Sequence, residues 1–326
     1  MKKILSLLLV ALMTVFLMAC RDDGTEEAGN LIRIGFAQVG AESDWRIANT
    51  RNMRQTFTEA AGYDLQLVDC EEKHEKQLEA VSEFITQEVD YIIIAAVSED
   101  GWDQVLGDAK EAGIPVILMD RTINTDDDNW VAWTGGNFLK EGQDAMTWLE
   151  AFLAEQGKAD TQMNILHMQG QLRSSAQLGR TQGIEEGIDA NSTWTLLAQE
   201  PADFKKDKGK EVMEAWLEEY AGMENLVLIA ENDNMAYGAI EAMQERGIEP
   251  GKDIYIISFD SSREALQRVI DGEINCTVEC NPLLAEAVER IIRKLEAGIV
   301  PNKKEFVQEE LFDINNAAER LDTRGF

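Results

Sequence analysis

Residues Glu42-Ser43-Asp44-Trp45-Arg46 follow an apolar run, Leu31–Val39, that reads as a buried strand. An aromatic ring and a guanidinium therefore stand side by side in the polar turn that leads into a helix. Similar residues recur where later strands end. Asp120-Arg121 follows PVILM. Arg173 and then Arg180 follow HMQG. Pro201-Ala202-Asp203-Phe204 follows LLAQE, Glu231-Asn232-Asp233 follows LVLIA, and Asp260 closes YIISFD. Carboxylates accept hydroxyl hydrogens, guanidinium forks donate, and amides do both. An aromatic face covers the C–H surface of a sugar ring. Together these groups have the chemistry to hold a neutral polyol. Each one also has a second reading. An Asp at a strand end is often the N-cap of the next helix, Trp45 can be core, and Arg46 can be a surface ion-pair partner. What favours the polyol site is that one chemistry recurs at successive strand ends.

The patterns expected of catalysis are missing. No strand is followed by GxGxxG, and the sequence contains neither a Walker A motif nor HExxH. His74 and His167 are the only histidines; the first is expected on a solvent-facing helix position and the second inside a strand. NTDDDNW (124–130) lacks the Gly and the terminal Glu of a calcium loop and reads as a solvated turn. No catalytic residue, cofactor or metal site is expected.

The elements that must position these residues alternate regularly. IRIGFAQV, DLQLVDC, YIIIAAV, PVILMD, MNILHMQG, WTLLAQE, NLVLIAE, DIYIISFD, INCTVEC and EFVQEELF are strand candidates. Most are too apolar for one-sided strands and should be buried on both faces. Between them lie stretches such as HEKQLEAVSEFITQEV, with apolar residues three and four apart. Such alternation predicts an α/β fold with parallel sheets flanked by helices. The chain also divides into two similar halves. The first ends near Val131–Asn137 and the second begins at MNILHMQG. Two open α/β lobes direct their strand-end loops toward a common cleft.

The first residues, MKKILSLLLVALMTVFLMAC, carry two lysines and then an apolar run, as a secretory signal does over residues 1–19. Leu17-Met18-Ala19-Cys20 is similar to a bacterial lipobox, which makes Cys20 the expected lipidation site. The acidic, Gly-containing segment through residue 30 reads as a flexible tether. Removing Lys2 and Lys3 leaves 28 basic against 61 acidic residues, a charge of 28 − 61 = −33. Nucleic-acid binding needs clustered cations, so this balance excludes it. Cys276 and Cys280 in one strand would lie roughly 13 Å apart, too far for a disulfide. A bond from Cys70 to either one is open on sequence grounds, and buried free thiols are the expected state.

Over nearly all of residues 31–326 the chain resembles the type I periplasmic sugar-binding proteins of bacterial ABC transporters, the family that includes ribose binders. The resemblance is carried by IPVILMDR with Asp120-Arg121, RTQG with Arg180, PADF, AENDNMAYGAI around Asn232, and SFD ending at Asp260. FAQVGAESDWR, Val97–Trp102, Lys208–Glu214 and Pro250–Ile254 are similar to the galactofuranose binders within that family. The resemblance implies two Rossmann-like lobes joined by a three-strand hinge near Gly135, Cys280–Asn281 and Gln308–Leu311. Residues 31–136 with 281–308 would form the N-terminal lobe, and 137–280 with 309–326 the C-terminal lobe. It places ligand contacts at Ser43, Trp45, Arg46, Asp120, Arg121, Arg180, Phe204, Asn232 and Asp260. Ribose binders carry two Phe where this chain has Trp45-Arg46. That exchange removes a stacking wall and adds donors, which suits a sugar with an extended hydroxylated tail. They also offer a Gln where this chain has Cys280, so Glu279 and Asn281 stand as alternative contacts. The implied function is that of a lipid-anchored, extracytoplasmic, monomeric binder. It would capture a monosaccharide, galactofuranose first, and pass it to the permease of an ABC importer. The alternatives are a sensory binder serving a chemoreceptor or sensor kinase, and another pentose, hexose or polyol as ligand. A repressor of the same fold would need a basic helix-turn-helix before the first strand, where this chain has the lipobox and acidic tether.

Overall fold

The computed structural model describes residues 31–326; the expected signal segment, Cys20 and the tether lie outside the described residues. The apolar runs form two six-stranded sheets. The first contains β1 (Ile32–Gln38), β2 (Tyr63–Asp69), β3 (Tyr91–Ile94), β4 (Val116–Met119), β5 (Ala132–Gly135) and β11 (Lys304–Phe306), in the order β11-β5-β4-β3-β1-β2. The second contains β6 (Met163–Gln169), β7 (Trp194–Pro201), β8 (Leu226–Ala230), β9 (Ile254–Asp260), β10 (Cys276–Glu279) and β12 (Leu311–Asp313), in the order β12-β10-β9-β8-β6-β7. All pairings are parallel except β10 with β12. β3 and β4 are buried at every residue, as strands covered on both faces must be.

Helices α1 (Asp44–Thr56), α2 (His74–Thr86), α3 (Asp103–Glu111) and α9 (Ala285–Glu296) accompany the first sheet. The second carries α4 (Phe138–Glu155), α5 (Ser175–Ala190), α6 (Lys206–Glu219), α7 (Asp233–Glu245), α8 (Arg263–Ile270) and α10 (Ala317–Leu321). On α9 the buried residues Ala285, Val288, Ile291 and Ile292 recur at helical spacing, so one apolar stripe faces the core. The result is two α/β lobes of like topology. The chain passes between them three times, at 136–137, 280–284 and 307–310.

Three sequence expectations need correction. AWTG is a strand, β5, although four residues with a terminal Gly gave too short an apolar signal. EFVQEELF is not one strand. Its ends belong to β11 and β12 in different sheets, and the chain crosses between the lobes in the middle. His74 does not face solvent. Its ring meets Trp102 edge-on at 5.0 Å, and both ring nitrogens are buried without a hydrogen-bond partner. Burial holds its pKa below the usual range. Gly101 makes room for this, since a Cβ there would stand 2.7 Å from His74 Nε2. His167 lies in β6 as expected, fully buried, with Nε2 3.0 Å from Glu231 Oε1. Cys70, Cys276 and Cys280 are free and buried.

Candidate functional site

Each sheet reverses its strand order beside its first strand, between β1 and β3 in one lobe and between β6 and β8 in the other. Loops at such points form the binding crevice of open α/β sheets. Here the loops of both lobes close over one cavity with about 300 Å³ of empty space. All nine residues expected at the site line it: Ser43, Trp45, Arg46, Asp120, Arg121, Arg180, Phe204, Asn232 and Asp260. Glu42, Phe138, Ala176 and Cys280 complete the wall. Phe138 was legible in principle, opening the helix after the first half. Cys280 is the wall residue of its segment. Glu279 turns away to Arg324 Nη1, and the backbone N–H of Asn281 donates to Glu309 Oε1 at 3.3 Å. Arg173 points into solvent near Asp100.

Ordinary local rules place these groups. Ser43 caps α1, accepting from the Arg46 N–H at 3.2 Å, and Asn232 caps α7, accepting from Met235 N–H at 2.9 Å. Both are helix N-caps, and each still reaches the cavity wall. Asn232 Nδ2 also donates to the Phe204 carbonyl at 3.1 Å. Gly170 opens the turn after β6 and lies against the Phe204 ring; a Cβ there would fall 2.0 Å from the ring. Asp120, Phe204 and Asp260 have positive φ of 64°, 61° and 97°. Non-glycine residues held in that region concentrate at functional sites. Glu231 and Asp233 flank Asn232 but serve the scaffold. Glu231 takes Gly170 N–H at 2.8 Å, and Asp233 takes Ser258 Oγ–H at 2.6 Å.

The Trp45-Arg46 pair works as a unit. Arg46 lies 4.6 Å from the Trp45 ring centroid, and Trp45 Nε1–H donates to the Cys280 carbonyl at 2.7 Å. Arg46 donates to Glu42 Oε1 at 3.0 Å and to Asp120 Oδ2 at 2.7 Å. Arg121 lies 3.6 Å from the same Glu42 oxygen and 5.6 Å from the Phe204 ring. Arg180 donates to Glu141 Oε2 at 2.7 Å and faces Asp260 Oδ1 at 3.7 Å. Burial raises the Glu42 pKa, but Arg46 and Arg121 outweigh it and hold the carboxyl below its usual range. Burial, with Arg46 beside it, draws Arg121 down to about 10. Burial pushes Asp260 well up against the pull of Arg180. The lining carries three guanidiniums and three carboxyl groups, which sum to zero when all three carboxyls are ionised. One acceptor, Glu42 Oε2, is buried without a partner.

The lobes are closed. Asp44 N–H donates to Asn234 Oδ1 at 3.1 Å, and Asn234 Nδ2 returns a bond to Asp44 Oδ2 at 2.8 Å. Arg121 reaches Gln171 at 2.8 Å, Thr122 N–H reaches Ser175 Oγ at 2.9 Å, and Lys205 pairs with Glu72 at 2.8 Å.

Residues 34–288 match the periplasmic binding protein domain family. The galactofuranose-binding protein of Escherichia coli K12 is 35% identical over 297 residues, covering 90% of this chain and 91% of the relative. A Mycobacterium smegmatis protein solved in complex with β-D-fucofuranose superposes with a TM-score of 0.84 at 38% identity, covering 89% of this chain and 94% of the other. The arabinose ABC transporter's binding component from Shewanella sp. ANA-3, solved with α- and β-L-arabinofuranose, gives a TM-score of 0.84 at 34% identity and covers 90% and 95%.

Proposed function

This chain belongs to the periplasmic binding protein family, and from that premise we propose that it captures a neutral monosaccharide in its furanose form, galactofuranose first, for an ABC importer. It is a binding protein and not an enzyme. The observation that carries the reading is the charge balance of the cavity wall. With Asp260 ionised beside Arg180, three buried guanidiniums meet three buried carboxylates, so an anionic or cationic ligand would leave a net buried charge, which is strongly unfavourable. A polyol leaves none, and its hydroxyls both donate and accept. One hydroxyl can bridge the 3.7 Å between Asp260 Oδ1 and Arg180 Nη2. Another can donate to the unpartnered Glu42 Oε2. Trp45 and Phe204 supply apolar surface for ring carbons. The furanose preference is supported by relatives whose names or bound sugars are galactofuranose, fucofuranose and arabinofuranose.

The nine expected residues are the proposed ligand contacts, with Glu42 added. Residues 31–136 with 281–308 form one proposed lobe, and 137–280 with 309–326 the other. The protein works outside the cytoplasm, as its family does. Lipidation at Cys20 would hold it to a membrane, where a monomer exposes both lobes to the permease. Ligand binding shifts the open–closed population, and the closed form is what the permease meets. A sensory role would share the binding chemistry and differ only in the partner that reads closure.

A thermal-shift screen of the chain from Arg21 onward tests the reading. Binding to the native state alone stabilises by RT ln(1 + [L]/Kd), about 2.7 kcal/mol at a hundredfold excess over Kd. L-Arabinose, D-galactose, D-fructose and methyl β-D-galactofuranoside are compared with pyranose-locked glycosides and sugar phosphates. A shift confined to furanose-forming neutral sugars is expected. A larger shift with sugar phosphates would refute the charge argument.

A further inference from the structure

Behind the cavity the three passages between the lobes meet at one point. Gly136 lies on the first, Cys280 on the second and Glu309 on the third. A Cβ on Gly136 would come 2.5 Å from Glu309 Oε1 and 2.6 Å from Glu141 Oε1, so both carboxyl groups press on the same backbone atom. Carboxyl oxygens of Glu141 and Glu309 and the Cys280 sulfur lie within 4.8 Å of one another. Glu141 is 2% exposed. Its Oε2 accepts from Arg180 Nε–H at 2.7 Å, while its Oε1 is buried with no partner.

An ionised carboxylate offers only acceptors. Two of them facing each other therefore leave Glu141 Oε1 without a donor and place like charges together in a poorly hydrated site. One proton removes both penalties: it supplies the missing donor and cancels one charge. We propose that Glu141 and Glu309 share a single proton across the hinge, and that this proton secures the three passages in the closed form. The groups facing the pair are Arg180 from α5, Asp120 at the end of β4, Asp260 at the end of β9, and Glu279 and Cys280 at the end of β10. Arg324 is already engaged by Glu279. Arg180 is thus the one cation facing the pair among these groups, and Glu141 and Asp260 already draw on it. Burial, and then Glu141, pushes Glu309 up to about 9, and burial raises Glu141 against the pull of Arg180.

A carboxyl pair parted by opening would titrate near the ordinary glutamate value, about 4.3, whereas burial and the facing carboxyl hold the closed pair's proton well above it. Closing therefore takes up a proton between those limits. The stabilisation is complete below the lower value and is lost as pH rises through the upper one. Closure weakens by up to about tenfold per pH unit across that interval. This holds whichever ligand fills the cavity.

The experiment needs no sugar. Asp44→Cys with Asn234→Cys, oxidised, clamps the rim where the native pair already bonds. The clamped chain, labelled with ¹³C at glutamate side-chain carboxyls, is titrated by NMR. We expect one glutamate carboxyl to remain protonated at pH 7 and to lose its proton near pH 9, with that signal absent in Glu309→Gln. Reducing the clamp should shift the titration downward. Full ionisation of every glutamate at pH 7 in the clamped chain would overturn the proposal, as would a protonated signal that persists in Glu309→Gln. Should Glu309→Gln not fold, Glu309→Asp in the clamped chain must move the titration, and an unmoved signal overturns the assignment.

Discussion

The reciprocal bonds between Asp44 and Asn234 exist because the lobes are closed, and neither residue lines the cavity. Asn234→Ala removes both bonds without touching the wall. Opening hydrates the same groups, so each bond contributes only its net value, about 0.5–1.5 kcal/mol. Both bonds are solvent-exposed, which sets the pair near the low end, about 1 kcal/mol in total. That is about fivefold in the closing equilibrium. Where the open form dominates without ligand, apparent affinity scales with the closing equilibrium. Asn234→Ala should therefore weaken every ligand by the same factor, about five. Calorimetric titration of the variant and the wild type with two different sugars measures it. A loss that differs between the sugars would refute the reasoning, because it would make Asn234 a ligand contact. No loss with either would show that the rim bonds do not favour closure.

Arg180→Ala strands two buried carboxylates, Glu141 and Asp260. It should cost about 3–5 kcal/mol of fold stability, read as a lower urea midpoint; an unchanged midpoint would show that Arg180 is not their counter-charge. Gly238→Ala would bring a Cβ to 1.9 Å from the Lys206 carbonyl oxygen and 2.6 Å from Lys210 N, both backbone atoms between α6 and α7. Overpacking of this kind costs about 1–3 kcal/mol, and wild-type melting would show that the helices separate freely. Of the seven tryptophans, Trp45 lines the cavity, so Trp45→Phe should abolish most of the ligand-induced fluorescence change. A variant that keeps the full signal would place the reporter elsewhere.

The cavity was legible because short-range rules act at strand ends. Asp120 follows and Asp260 closes an apolar run whose burial fixes its strand, β4 or β9, and both side chains meet the cleft where those strands end; Phe204 lies in the turn after the half-exposed edge strand β7. What stayed hidden depends on contacts distant in sequence. Glu42 carries no signal of its own in an acidic chain. Its burial follows from Arg46 and Arg121, and the second of these lies on another strand end. Glu141 reads as one more helix acid until Arg180 of a neighbouring helix and Glu309 of the last passage close around it. β5 and the division of EFVQEELF were missed for a related reason. Three- and four-residue strands take their place from the sheet they join and not from their own pattern. His74 was misplaced because a helical position says little about a ring that Trp102 and Gly101 draw inward.

The proposed ligand is a neutral furanose held between the lobes by a charge-balanced wall. A crystal of the chain grown with the sugar that stabilises it most would test this directly. Density is expected for one five-membered ring within hydrogen-bond distance of Arg46, Arg180 and Asp260, with a hydroxyl at Glu42 Oε2. A ligand lodged elsewhere, or a six-membered ring that leaves Glu42 and Asp260 uncontacted, would contradict it.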